Sequence, residues 1–91
     1  MTPEILHDAS RQRFLTIVDG HEGYVQYELA GDVMAIVHTI VPAAIGGRGI
    51  ASDLVQHAFD YARAEGLRVA PLCSYAEVWL RRHPDYADLA T

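Results

Sequence analysis

Apolar and polar positions alternate along the first half of the chain and recur with a helical period along the second. Arg13 to Val18 alternates and is closed by Asp19-Gly20, so it predicts a first strand and a turn. Tyr24 to Leu29 places Val25, Tyr27 and Leu29 on one face and Tyr24, Gln26 and Glu28 on the other, the pattern of a half-buried strand. Ala30-Gly31-Asp32 predicts a tight turn. Val33 to Val41 is almost wholly apolar, which predicts a strand covered on both faces, and Pro42 ends it. Residues 1–12 read as a short tail or edge segment.

Beyond a glycine-rich turn the period becomes 3.6. Ile50, Ala51, Leu54, Val55, Ala58, Phe59, Tyr61 and Ala62 fall on one side of a helix, with Ser52, Asp53, Gln56, His57, Asp60 and Arg63 on the other. Gly66 is its C′ residue. Arg68 to Leu72 predicts a short strand, and Tyr75 to Arg82 a second helix stopped by Pro84, with a last helical turn near Tyr86 to Leu89. The expected fold is an α/β domain with a mixed sheet, occupying residues 1–91 as one unit. An antiparallel meander is followed by a strand-loop-helix-strand unit that closes with a right-handed crossover, then a C-terminal helix. Ligands of such sheets bind at the C-terminal ends of the parallel strands, beside the helix N-terminus.

Composition removes several classes of function. Twelve acidic residues face seven basic ones, all arginine, for a formal charge of −5. Nucleic-acid binding needs a basic surface, so it is not expected; a cationic acceptor such as an amine suits the charge better. Cys73 is the sole cysteine, and the histidines are scattered without metal-ligand spacing, so neither an internal disulfide nor a metal site is expected. No apolar stretch is long enough to span a membrane and no leader pattern opens the chain, so the expected location is cytoplasmic.

The turn Ile45-Gly46-Gly47-Arg48-Gly49-Ile50-Ala51 feeds the first helix. A helix N-terminus offers unpaired N–H groups and the positive end of a dipole, a seat for phosphate, and glycines let the backbone approach it. A P-loop requires a lysine, which this chain lacks. A dinucleotide fingerprint is met poorly, since Ser52 stands at its third glycine and Leu72-Cys73-Ser74 where an acidic residue belongs. A third scheme for such a turn is the diphosphate of coenzyme A.

The run Val41 to Ala51 resembles the acetyl-CoA loop of the GNAT superfamily, whose pattern is Q/R-x-x-G-x-G/A. Gly47 and Gly49 match its small positions, while Ala44 stands where Gln or Arg is usual. Pro71-Leu72-Cys73-Ser74-Tyr75 and Arg81-Arg82-His83-Pro84-Asp85-Tyr86 resemble a subfamily of small GNAT-like proteins that consist of little more than the CoA-binding core. The resemblance spans residues 13–89. It implies an acetyl-CoA-dependent N-acetyltransferase acting on an amine by direct transfer. Val41, Ile45, Gly46, Gly47, Arg48, Gly49, Ile50 and Ala51, with Ser74, Arg81 and Arg82, would hold the cofactor. Backbone N–H groups from Thr39 to Val41 would polarise the thioester carbonyl.

His38 shares a face with Ile36 and Ile40 by strict alternation, so it is expected buried and neutral, able to accept a proton. Cys73 ends the second parallel strand toward the same mouth, where it would take the acetyl group or protonate the departing thiolate. The position where many GNAT enzymes carry an acidic tyrosine is Trp79, too weak an acid for that task; Tyr75 is the nearest phenol. The alternatives are a non-catalytic acyl-CoA-binding module and a Cys73-based covalent acyltransferase or thioesterase. A monomer or weak homodimer is expected.

Overall fold

A computed structural model describes residues 4–91; the first three residues, part of the expected tail or edge segment, lie outside the described ones. Five strands form one sheet in the order of the chain: β1 (Leu6–Asp8), β2 (Arg13–Val18), β3 (His21–Ala30), β4 (Val33–Ile40) and β5 (Arg68–Pro71). The first four pair antiparallel, and β5 lies parallel to β4 after the helix α1 (Ile50–Glu65). A second helix, α2 (Ser74–Arg82), and a 3-10 segment (Pro84–Leu89) follow. The chain then lies along β5, with a parallel bridge from Val69 to Ala90 and a Thr91 N–H bond to the Val69 carbonyl at 3.0 Å.

Residues paired directly across two strands project from the same side of the sheet. Phe14 opposes Val25, and Tyr27 opposes Ile36; these side chains face α1. Against them α1 sets Ile50, Leu54, Val55, Ala58, Phe59 and Ala62, the stripe its 3.6 period foretells. Trp79 and Ala76 carry α2 onto the same core, where Trp79 stacks on Phe59 with ring centroids 5.0 Å apart. Each of these large side chains contributes roughly 1.5–3 kcal/mol by leaving water. Next to the edge strand, His7 stacks on Phe14 and hydrogen-bonds the buried Tyr27 hydroxyl. Burial lowers the His7 pKa, the nearby His57 lowers it further, and Asp8 opposes both.

Two expectations fail here. The long apolar strand was expected to be covered on both faces, but the helices pack on only one. On the other face Leu6, Ile17 and Ile40 are 49 %, 63 % and 46 % exposed. Strict alternation in β4 also fails. Gln26 pairs with His38 and Tyr27 with Ile36, so Val37 is an extra residue, a bulge. A one-residue insertion reverses the faces of everything after it. Thr39, opposite Val25, therefore lies on the helix side, while His38 and Ile40 lie on the open side. His38 does not share a face with Ile36, and it is exposed rather than buried.

Candidate active site at the glycine turn

Pro42 interrupts the ladder and a 3-10 turn (Ala43–Ile45) reverses the chain, anchored by Ile45 in the core. Its bonds are local: Ile45 N–H to the Pro42 carbonyl at 3.0 Å and Gly46 N–H to the Ala43 carbonyl at 3.1 Å. Gly47 and Gly49 then take φ of +75° and +80°, left-handed conformations that side-chain-bearing residues adopt only at a cost. The helix begins at Ile50 with Gly49 as its cap, and no side chain caps it. The first amide to find a carbonyl is Asp53, bonded to Gly49 at 3.1 Å. Among the described residues, the six amides from Gly47 to Ser52 have no protein acceptor.

Five of the six belong to residues that line a cleft of about 280 Å³, whose wall is Val41, Ile45, Gly46, Gly47, Gly49, Ile50, Ala51, Ser52 and Tyr75. Seven of the eight residues assigned to the loop from sequence lie in its wall, Ile50 and Ala51 at the helix start among them, and only Arg48 is missing. Arg48 instead reaches the β2–β3 turn and pairs with Asp19 at 2.9 Å, an exposed contact. Arg81 pairs with Glu77 at 2.9 Å along its own helix; Arg82 and Ser74 are exposed on α2. None of the three lines the cleft.

Beside the cleft the two parallel strands part. Pairing of β4 with β5 ends at Ile36 and Pro71, and the Ile36 carbonyl accepts from both Leu72 and Cys73 N–H at 3.0 Å. From the bulge to Val41 the β4 backbone runs on for about 13 Å with no partner on that side. Cys73 lies in the gap as the N-cap of α2. Its sulfur accepts the Ala76 N–H at 3.3 Å and lies 3.4 Å from Thr39 Oγ1. The expected pairing of Cys73 with His38 is not formed: the bulge turns Thr39 toward the sulfur and sends His38 to the opposite face, beside Gln26.

One residue gains a place that the sequence pattern did not reveal, and another is brought to the cleft. Ser52 lines the cleft and accepts a bond from the Trp79 indole at 3.0 Å. Tyr75, the phenol nearest the vacant acid position in the sequence, is 39 % exposed and forms part of the cleft wall. The signal for Ser52 was its position on the first turn, among the free amides. Trp79 itself is buried and stacked, consistent with packing and not with acid chemistry. A second depression of about 260 Å³ lies elsewhere on α1, lined by Ile5, Asp53, Gln56, His57 and Asp60. Among the described residues no helix is long and apolar enough to cross a membrane, and no group of side chains suits a metal ion.

Comparison with known proteins agrees with this architecture. Protein NATD1 from Gallus gallus is 33 % identical over 84 residues, 89 % of this chain and 76 % of that protein. Its counterpart from Homo sapiens is 35 % identical over 81 residues, 86 % of this chain and 72 % of that protein. The solution structure of a GCN5-like protein from Staphylococcus aureus superposes with a TM-score of 0.77 at 23 % identity, over 99 % of this chain and 89 % of the other, a likeness of fold. Residues 13–89 match the family described as GCN5-related N-acetyl-transferase, and the chain, with an uncapped helix behind its glycine turn and a parted pair of parallel strands, belongs to that family.

Proposed function

We propose that this chain is an acetyl-CoA-dependent N-acetyltransferase that acetylates a primary amine by direct transfer. The observation that carries the reading is the row of six unpartnered amides, five of them on residues that line a cleft beside parted strands. Such a row accepts an anion with several oxygens, and the dipole of a sixteen-residue helix adds to it. The fit with a diphosphate is good. The amides supply donors in a region with no acidic side chain among the lining residues. The unpaired flank of β4 offers an extended arm a track of backbone groups toward Thr39 and Cys73.

When bound, acetyl-CoA supplies an activated acyl carbon with a thiolate leaving group. Amide N–H groups along the unpaired flank, from Thr39 to Val41, are suited to stabilise negative charge on its carbonyl oxygen. His38, exposed on the open face one residue past the bulge, is suited to remove the proton of an ammonium arriving from that side. The Cys73 thiol and the Tyr75 phenol are the proton donors nearest the gap and the cleft. A covalent route through Cys73 has its sulfur at hand in the gap, where it accepts the Ala76 N–H and caps α2. It lacks the histidine such a nucleophile needs, so direct transfer is preferred.

Thermal unfolding with CoA, acetyl-CoA and NAD tests the cofactor. At a hundredfold excess over Kd, binding adds about 2.7 kcal/mol, which for a domain this small raises Tm by roughly 10–20 °C. Release of free thiol from acetyl-CoA that depends on added amine tests the reaction. Equal stabilisation by NAD, or tight CoA binding with no amine-dependent release across a panel of amines and lysine peptides, would overturn the proposal. Intact mass after acetyl-CoA exposure, comparing Cys73→Ala with wild type, separates the covalent route: a trapped acetyl adduct on Cys73 would reinstate it.

A further inference from the structure

We infer that Trp79 is a positioning residue for the diphosphate: its indole N–H holds the oxygen of Ser52 so that the serine hydroxyl directs its own proton into the cleft. The inference rests on the acetyl-CoA reading above and adds to it a side-chain donor held from another helix.

An indole nitrogen only donates, so in the 3.0 Å contact between Trp79 Nε1 and Ser52 Oγ the serine is the acceptor. Its single hydroxyl proton must go elsewhere. A serine on a helix ordinarily spends that proton on the carbonyl four residues back, here Arg48. No such bond is made, and among the described residues the hydroxyl donates to no protein group. Ser52 lines the cleft together with Gly47, Gly49 and Ala51, so its free proton lies beside the unpartnered amides.

The tryptophan is fixed firmly enough to impose this choice. It is 3 % exposed and is held between Phe59, at 5.0 Å and 23° between planes, and His83, at 3.9 Å and 14°. His83 Nδ1 also bonds the Trp79 carbonyl at 2.7 Å, tying the ring sandwich to the α2 backbone. A cleft in which amides and a steered hydroxyl all present protons selects an acceptor-only ligand, such as an ionised diphosphate. The chain has no lysine, and Arg48 is turned to Asp19, so a fixed hydroxyl has more to contribute here than in a cationic site.

The test is a titration of 15N-labelled protein with acetyl-CoA and with S-acetylpantetheine, which carries the same thioester but no diphosphate. Four forms are compared: wild type, Ser52→Ala, Trp79→Phe and the double variant. Phenylalanine keeps the stacking surface and removes only the donor. The expected result is about a tenfold loss of acetyl-CoA affinity in each single variant, the scale of one hydrogen bond to a charged group. S-acetylpantetheine affinity should not change, the double variant should be no weaker than Ser52→Ala, and Ser52→Thr should restore binding. Unchanged acetyl-CoA affinity in Ser52→Ala, equal losses for both ligands, or additive losses in the double variant would overturn the inference alone. A wild type that binds neither ligand would overturn this inference and the acetyl-CoA reading together.

Discussion

Gly49 and Gly66 form a matched pair that separates the cost of folding the glycine turn from its use. Both have φ near +70° to +80°, at +80° and +69°, and a Cβ built at either meets nothing within 4 Å. One caps the start of α1, the other its end. Replacement of either by alanine therefore adds no clash within the protein, only the backbone cost of holding an L-residue in the left-handed region, roughly 1 kcal/mol. For a domain of this size that lowers Tm by about 4–8 °C in both variants. The two should diverge on ligand. Gly66 N–H bonds carbonyls of α1 itself, at Ala62 and Arg63, far from the cleft. Alanine at 49 can relieve its strain by rotating the peptide planes on either side, and those planes carry the free amides.

Losing one such donor to a charged oxygen is worth about 1.5–3 kcal/mol, so Gly49→Ala should weaken acetyl-CoA binding about tenfold or more. Gly66→Ala should bind as wild type does. Thermal unfolding supplies the stability term and calorimetric titration with acetyl-CoA the binding term, on the same samples. Equal affinity in the two variants, at equal loss of Tm, would refute the assignment of the phosphate seat to these amides.

Other outcomes follow from the same geometry. His38 is exposed and contributes little to packing, so His38→Gln should leave Tm within about a degree while lowering kcat roughly a hundredfold, the usual scale for a lost general base. A fall in Tm with unchanged turnover would remove His38 from the chemistry. Asp19→Ala releases Arg48 from an exposed pair and should tighten acetyl-CoA binding by about two- to threefold in low salt, read by titration. An unchanged Kd would show that Arg48 takes no part in holding the phosphates. His7 has a pKa below 6.5 in the folded chain, so the unfolded chain binds more protons as pH falls below 6.5. Stability is complete above 6.5 and is lost on acidification through that window. Tm measured from pH 8 to pH 5 should drop less steeply in His7→Asn than in wild type; parallel curves would contradict the assignment.

How far the chain discloses itself depends on the range over which each feature is decided. The helix start at Ile50 was legible because it is local: glycines that tolerate positive φ, then apolar residues at 3.6 spacing. The meander and the parallel strand were legible for the same reason, from turn residues and period. The facing of His38 was not. It depends on which residues of β3 and β4 oppose each other, and the apolar run from Val33 to Val37 has no polar member to mark where alternation breaks. That same run suggested a strand with two covered faces, although the helices reach only one. The bond between Trp79 and Ser52 joins residues 27 apart and has no sequence pattern at all.

The bulge links these points. By adding Val37 it ends the useful pairing of β4 with β5, since the register that serves Val33 to Ile36 cannot continue past the extra residue. It also divides the candidate residues between two faces. Thr39 and Cys73 remain together in the gap, at 3.4 Å, while His38 is turned to the side that carries no helix. On the acetyl-transfer reading this division suits a bisubstrate reaction. The donor enters from the helix end of the strands, along the amides and the unpaired flank of β4, and the amine reaches the same carbonyl from the uncovered face, where a base already stands. Among the described residues, both helices pack against one side of the five-stranded sheet. The other face, where Ile17 and Ile40 are exposed, is the one from which the acceptor of that reaction is best placed to approach.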